Sequence, residues 1–189
     1  MEGFESYTDA LASARPVPGG GSAATIVGAL AAALVAMVAR ITAANPRHAP
    51  VAERAREVVE RADSLRAQLG TNRLADELAY GAVVDAQKLP KATDNERRER
   101  TSRLQVAFAG AAAAPLRTAE LARELLSLAA EAGALGNEHL ASDVDCASEF
   151  ARAALRAAAL NVRANHPYLH DRALVERNDA ALERLLAGL

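Results

Sequence analysis

Tryptophan is absent from this chain, and its only aromatic residues are three phenylalanines and three tyrosines, 3% of the sequence. So sparse a set argues against the aromatic platform on which single-stranded nucleic acids stack. An excess of charge is missing too. Against 24 acidic side chains stand 22 basic ones, and the net charge of −2 gives no steering toward DNA, RNA or anionic lipid. The one cysteine, Cys146, excludes an internal disulfide and fits a reducing compartment. No basic start of a secretory signal is seen, because the N-terminus carries Glu2, Glu5 and Asp9. A cytoplasmic protein is expected.

A membrane-length apolar run is nearly present. Pro16 to Ala39 carries no charge, but its strictly apolar part begins only after Ser22 and is rich in alanine and glycine. That falls short of the roughly 20 strongly apolar residues of a typical span. A helix apolar on all sides in a soluble chain is instead the centre of a bundle or a subunit interface. No membrane is expected.

What is present is helical. Half of the 189 residues are apolar, chiefly alanine, leucine and valine, and no stretch alternates with period two. Neither a βαβ pattern, nor an internal repeat, nor a domain linker occurs. The expectation is an all-α bundle of five to seven helices in one domain, residues 1–189, around a long alanine-rich helix. A short amphipathic piece spans 4–13, and Ser22 reads as the N-cap of a helix running to about Ala44. After the break "NPRHAP", apolar positions from Val51 to Leu69 keep helical spacing. Gly70-Thr71-Asn72 reads as a break or kink before a helix carrying Leu74, Leu78, Val83 and Val84. A further helix starts near Asp94 with a kink at Pro115. "GALGNEHLASD" reads as a loop, and helices over about 142–165 and 172–186 complete the chain.

Several groups have chemical potential. The glycines before Ser22 lack the GK[ST] ending of a phosphate loop and follow no strand. They can present backbone N–H groups to a polar ligand at a helix start, or simply turn the chain into a buried helix. Asp76 and Tyr80 lie four apart, on one helical face with Ala79 and Val83, whereas Asp85 falls on the opposite side. A lone aspartate is ordinarily solvated surface. One held among apolar neighbours has its pKa raised and can serve as a general acid. Ser142 and Asp145 have capping-box spacing. Asn161 and Asn165, four apart on an alanine-rich helix, need partners from a neighbouring helix or a ligand.

Metal binding is not expected. Pro167 separates His166 from His170, and His48 and His139 stand alone. Cys146 reads as a packed thiol. The arginines at 97, 98, 100 and 103 alternate with acids as a solvated face would.

Taken together, "PGGGSAATIVGALAAALVAMV", "DELAYGAVVDAQKLPKAT", "AAAAPL", "LGNEHLASD" and "AALNVRAN" resemble the cyclodeaminase/methenyltetrahydrofolate cyclohydrolase family, in order and across nearly the whole chain. That family comprises the C-terminal domain of formiminotransferase-cyclodeaminase and stand-alone bacterial relatives. The resemblance implies a dimerising all-α bundle with a folate cleft near the subunit interface, and no metal or cofactor beyond the tetrahydrofolate substrate. It implies opening of 5,10-methenyltetrahydrofolate to 10-formyltetrahydrofolate, or closure of 5-formiminotetrahydrofolate with loss of ammonia. The absence of a transferase domain favours the first. Asp76 takes the place of the family's proton donor. Gly19, Gly20, Gly21, Ser22 and Tyr80 would line the cleft, Asn137, Asp143, Asn161 and Asn165 would bind the pterin or the one-carbon bridge, and Lys91 would meet the glutamyl tail.

Three features depart from the family pattern: Asp145 at a position commonly small, Ala157 where glycine is frequent, and the Gly70-Thr71-Asn72 interruption. They motivate two rival expectations. One is a relative recruited to a non-folate cyclisation or deamination, and the other is a non-catalytic helical interaction protein.

Overall fold

The computed structural model describes residues 3–189 and contains, among them, six α-helices and no strand. They are α1 (Phe4–Ala12), α2 (Gly20–Ala44), α3 (Ala52–Lys88), α4 (Asp94–Gly133), α5 (Ala141–Asn165) and α6 (Arg172–Leu186). The expected all-α bundle is present. Short 3-10 turns at Pro46–Val51, Glu138–Leu140 and His166–Tyr168 join them.

The alanine-rich helix α2 is the axis, packed against α3, α4 and α5. Ala31, Ala32, Val35, Ala36 and Ala39 of α2 meet Val58, Leu65 and Leu69 of α3 and Leu121, Leu125 and Leu128 of α4 in one buried cluster. Small side chains let the axes come close. Gly28 takes this furthest, since a Cβ there would lie 3.2 Å from Leu69 Cδ2. By length and mean hydropathy (2.2) α2 could cross a bilayer, yet just over half of that stretch (56%) is buried by its neighbours. It is the core of a bundle.

Helix α3 runs unbroken through Gly70-Thr71-Asn72, so the expected kink does not form. A mid-helix glycine costs about 1 kcal/mol. Packing on both sides of it offsets that cost: Leu69 is fully buried, and the Asn72 amide donates to Ala114 O and Thr118 Oγ1 of α4, both at 2.8 Å. Helix α4 likewise continues through Pro115. Proline has no N–H for the carbonyl four residues back, here Ala111. Asn165 of α5 fills the gap, its Nδ2 donating to Ala111 O at 3.1 Å. Replacing Asn165 by alanine would strand that carbonyl, and a loss of about 1–3 kcal/mol is expected in urea unfolding.

Two expected caps are replaced. Helix α2 begins at Gly20 with Gly19 as N-cap, so Ser22 lies inside the first turn. Helix α5 begins at Ala141 with no side-chain cap, and the Ser142/Asp145 box does not form. A capping box does open α4, between Thr93 and Glu96. Cys146 is exposed rather than packed, because α5 turns Ala147, Ala151 and Ala154 to the core.

The far half of α3 and the near half of α4 form a hairpin with a thin core of its own, Val83, Ala86 and Ala107 backed by Leu104 and Phe108. Leu74 and Leu78, two of the apolar residues this helix was expected to carry, are exposed, Leu78 by 75%. The interior side of the hairpin instead carries Asp76 and Val83. Asp85 points away and pairs with Lys88.

Candidate active site

The first turn of α2 leaves N–H groups without an intrahelical acceptor. The structure brings Asp76 of α3 to them. A Cβ on Gly21 would sit 2.7 Å from Asp76 Cγ, and nearer still to both carboxylate oxygens. Only glycine leaves room for this approach. The backbone N–H of Ser22 bonds to the carboxylate and thereby lowers its pKa. Two larger effects oppose it: burial and the adjacent charge of Glu77. The net result is a carboxyl that holds its proton above the ordinary value of 3.8.

Asn161 of α5 completes the floor, with both of its amide atoms 3.6 Å from where a Gly20 Cβ would lie. Its Nδ2 donates to Ala157 O at 2.8 Å, so Asn161 Oδ1 remains to accept. Asn165, one turn on, spends its Nδ2 on Ala111 O and Asn161 O. Tyr80, one turn beyond Asp76 on the same face, is 41% exposed. Phe108 and Tyr168 stack with ring centroids 4.9 Å apart. Phe108 lies one turn before Ala111, and hence near Asn165.

The start of α2, the middle of α3 and the end of α5 thus bring Gly20, Gly21, Asp76 and Asn161 together.

Not every expected residue gathers here. Asn137 is buried and donates to Thr42 Oγ1 at 3.1 Å, at the opposite end of α2. From Gly21 to Thr42 the helix rises about 32 Å. Asp143 starts α5 whereas Asn161 ends it, about 27 Å away. Within one protomer, neither Asn137 nor Asp143 reaches Asp76. The unusual Asp145 shares that remote end and is exposed. Lys91 is exposed in the α3–α4 turn, separated from Asp76 by about 18 Å of helix. The Ser22 hydroxyl is not free for a ligand. It is fully buried and bonded to Tyr7 Oη and Glu77 Oε1, both at 3.0 Å.

Sequence reasoning missed Tyr7, Arg73 and Glu77. Arg73 Nη1 meets Glu77 Oε1 at 2.7 Å, and its guanidinium lies 5.9 Å from the Tyr7 ring centroid. The four-residue spacing of Arg73 and Glu77 was the available signal. Among the described residues no three His, Cys, Asp or Glu side chains converge as a metal site would require.

The family model for formiminotransferase-cyclodeaminase matches residues 3–184. The chain belongs to the formiminotransferase-cyclodeaminase family. Within this family it is similar to methenyltetrahydrofolate cyclohydrolase of Methylorubrum extorquens, 41% identical over 98% of this chain and 89% of the relative. It is also similar to formimidoyltransferase-cyclodeaminase of Rattus norvegicus, 33% identical over 97% of this chain but only 34% of the rat protein's length. In three dimensions it matches the crystal structure of formiminotetrahydrofolate cyclodeaminase from Thermotoga maritima with a TM-score of 0.87 and 27% identity. That match covers 97% of this chain and 88% of the other. The group around Asp76 thus lies in a formiminotransferase-cyclodeaminase fold.

Proposed function

We propose that this protein, acting as one helical domain, is a one-carbon tetrahydrofolate enzyme that hydrolyses 5,10-methenyltetrahydrofolate to 10-formyltetrahydrofolate, with Asp76 as the proton-transfer group. The observation that carries the reading is the Gly21–Asp76 contact: a carboxyl with raised proton affinity, pressed onto the glycine turn that opens α2. The cyclohydrolase relative, similar over almost its whole length, supplies the substrate class.

Hydrolysis adds water to the bridge carbon between N5 and N10. The tetrahedral adduct then breaks its bond to N5, and that nitrogen must gain a proton. A neutral Asp76 can deliver it while the adduct's hydroxyl proton passes to solvent as the formyl carbonyl forms, and the ionised carboxylate can then accept the proton of the next attacking water. In this reading Asn161 Oδ1 and the Tyr80 hydroxyl hold polar atoms of the pterin, and Gly19 and Gly20 leave room for it.

Closure of 5-formiminotetrahydrofolate is the second reading, favoured by the Thermotoga maritima cyclodeaminase fold. There N10 attacks the formimino carbon, and Asp76 protonates the departing nitrogen, released as ammonia. The same acid serves both reactions. The test is loss of the near-ultraviolet absorbance of 5,10-methenyltetrahydrofolate on adding protein, with Asp76→Asn as control. Acceleration over buffer that the variant lacks is the expected result. No acceleration, with ammonia released from the formimino compound, would leave the deaminase reading. Silence in both would remove the folate reading.

The working form we propose is a cytoplasmic homodimer, independent of nucleic acid and membrane. Its support is the outer face of α2, where Ala23, Ile26, Leu30, Ala33, Met37 and Ile41 recur three and four residues apart. Leu30 is 49% and Ile41 46% exposed, an apolar stripe that a second copy of the same helix would cover. In sedimentation, wild type is expected to run as a dimer and Leu30→Glu as a monomer. A monomeric wild type at micromolar concentration would end that proposal.

A further inference from the structure

Glu77 touches none of the groups assigned to substrate, yet it is the best-anchored carboxylate near Asp76. Its Oε1 takes hydrogen bonds from Arg73 Nη1 at 2.7 Å and from the buried Ser22 hydroxyl at 3.0 Å. The Ser22 proton is thereby committed, so Tyr7, 3.0 Å away, must donate to Ser22 Oγ. The chain Tyr7 to Ser22 to Glu77, closed by the Arg73 ion pair, fixes Glu77 Oε1 as an acceptor. Ser22 joins the two carboxylates: its hydroxyl serves Glu77, and its backbone N–H serves Asp76. The strands of this network come from α1, α2 and α3.

We infer that Glu77 is a positioning residue, anchored beside Asp76 by its Arg73 ion pair and the Ser22 hydroxyl so that Asp76 keeps its proton until the substrate takes it. The inference rests on the reading of Asp76 as proton donor. A like charge next to a carboxyl in a partly dry site disfavours its ionisation. Glu77 has a guanidinium and a hydroxyl, whereas Asp76 has a single backbone N–H.

Few other charges face Asp76. On its own helix there are Arg73, Glu77 and the Tyr80 phenol; α1 presents the Tyr7 phenol, with Glu5 and Asp9 exposed. The first turn of α2 presents glycines and Ser22, and α5 presents the uncharged Asn161. Arg117 of α4 is held by Glu120 and Gln68.

Two charge changes separate this from a purely structural role. Glu77→Gln keeps an acceptor for both Ser22 and Arg73 but removes the charge. Arg73→Gln removes the opposing charge. The readout is titration of the Asp76 carboxyl by carbon-13 NMR, its resonance assigned by loss in Asp76→Asn. The Asp76 midpoint is expected to move to lower pH in Glu77→Gln and to higher pH in Arg73→Gln. A network that only props up the fold would not give opposite shifts. A midpoint in Glu77→Gln that stays at its wild-type value, or rises, would overturn the inference.

The dependence of kcat/KM on pH, with 5,10-methenyltetrahydrofolate as substrate, is followed in parallel. If the midpoints move in the two expected directions while the rate profiles stay fixed, the coupling stands. The assignment of Asp76 as proton donor falls instead.

Discussion

Replacing Gly21 by alanine is expected to lower kcat/KM for the folate substrate by about 10²-fold or more, the scale of losing a positioned general acid. At an ordinary helix position this substitution stabilises by about 0.5–1 kcal/mol. Here the new methyl would lie 2.7 Å from Asp76 Cγ, well inside contact distance. Overpacking costs about 1–3 kcal/mol. The atoms it meets are the end of the Asp76 side chain, which must swing aside and give up the Ser22 N–H, so part of the propensity gain is offset and the carboxyl is displaced.

Gly20→Ala is the internal control for stability, because its methyl would meet Asn161 at an ordinary 3.6 Å. Two neighbouring glycines should therefore behave differently in unfolding. A thermodynamic cycle isolates the cause. In an Asp76→Ala background, Gly21→Ala should lose most of its penalty, a coupling of about 0.5–3 kcal/mol. Equal cost in both backgrounds would mean that the two residues do not meet.

This contact was half visible in the sequence. The glycine run and the apolar face carrying Asp76 were both legible as local features, one through composition and the other through helical spacing. That Asp76 supplies the acceptor for the first turn of α2 was not. Ser22 stood at the position of a good N-cap and drew that role by propensity alone. In the folded chain it is pulled inward by Tyr7 and Glu77, partners 15 and 55 residues away.

The same limit explains Gly70-Thr71-Asn72. Local residue types argued for a break, and Asn72, bonded across to α4, overrode them. Pro115 and Asn165 each looked anomalous in isolation: a proline in a helix, and an amide on an alanine face. Only the packing of α4 on α5 makes one the answer to the other.

Asn137 and Asp143 teach something different. Their motif follows the others along the chain, but eighteen helical residues separate Asp143 from Asn161, about 27 Å. Sequence order carried no information about which end of the bundle a motif occupies. Helix length did.

Asp76→Asn is expected to lower kcat/KM by about 10²- to 10⁴-fold, since the amide keeps shape and polarity but has no proton of the right acidity to transfer. Stability should move the other way. The folded state raises the pKa of Asp76 above 3.8, chiefly by burial. Folded protein therefore binds this proton more tightly than unfolded protein does. The associated stability is fully present below the ordinary aspartate value and is lost as pH rises through the raised folded value. Asparagine never ionises and escapes that loss. The variant should thus gain Tm relative to wild type as pH climbs from 3.8 through the folded midpoint, and the advantage should then level off. Paired melting curves from acid to pH 8 check the sign. A variant advantage confined to acid, or absent throughout, would mean that Asp76 is as well solvated when folded as when unfolded. In that case no driving force would hold a proton on it for catalysis. Loss of activity with gain of stability is what an acid kept neutral for its chemistry must give, because the same dry, carboxylate-flanked surroundings that hold the proton penalise the charge left behind.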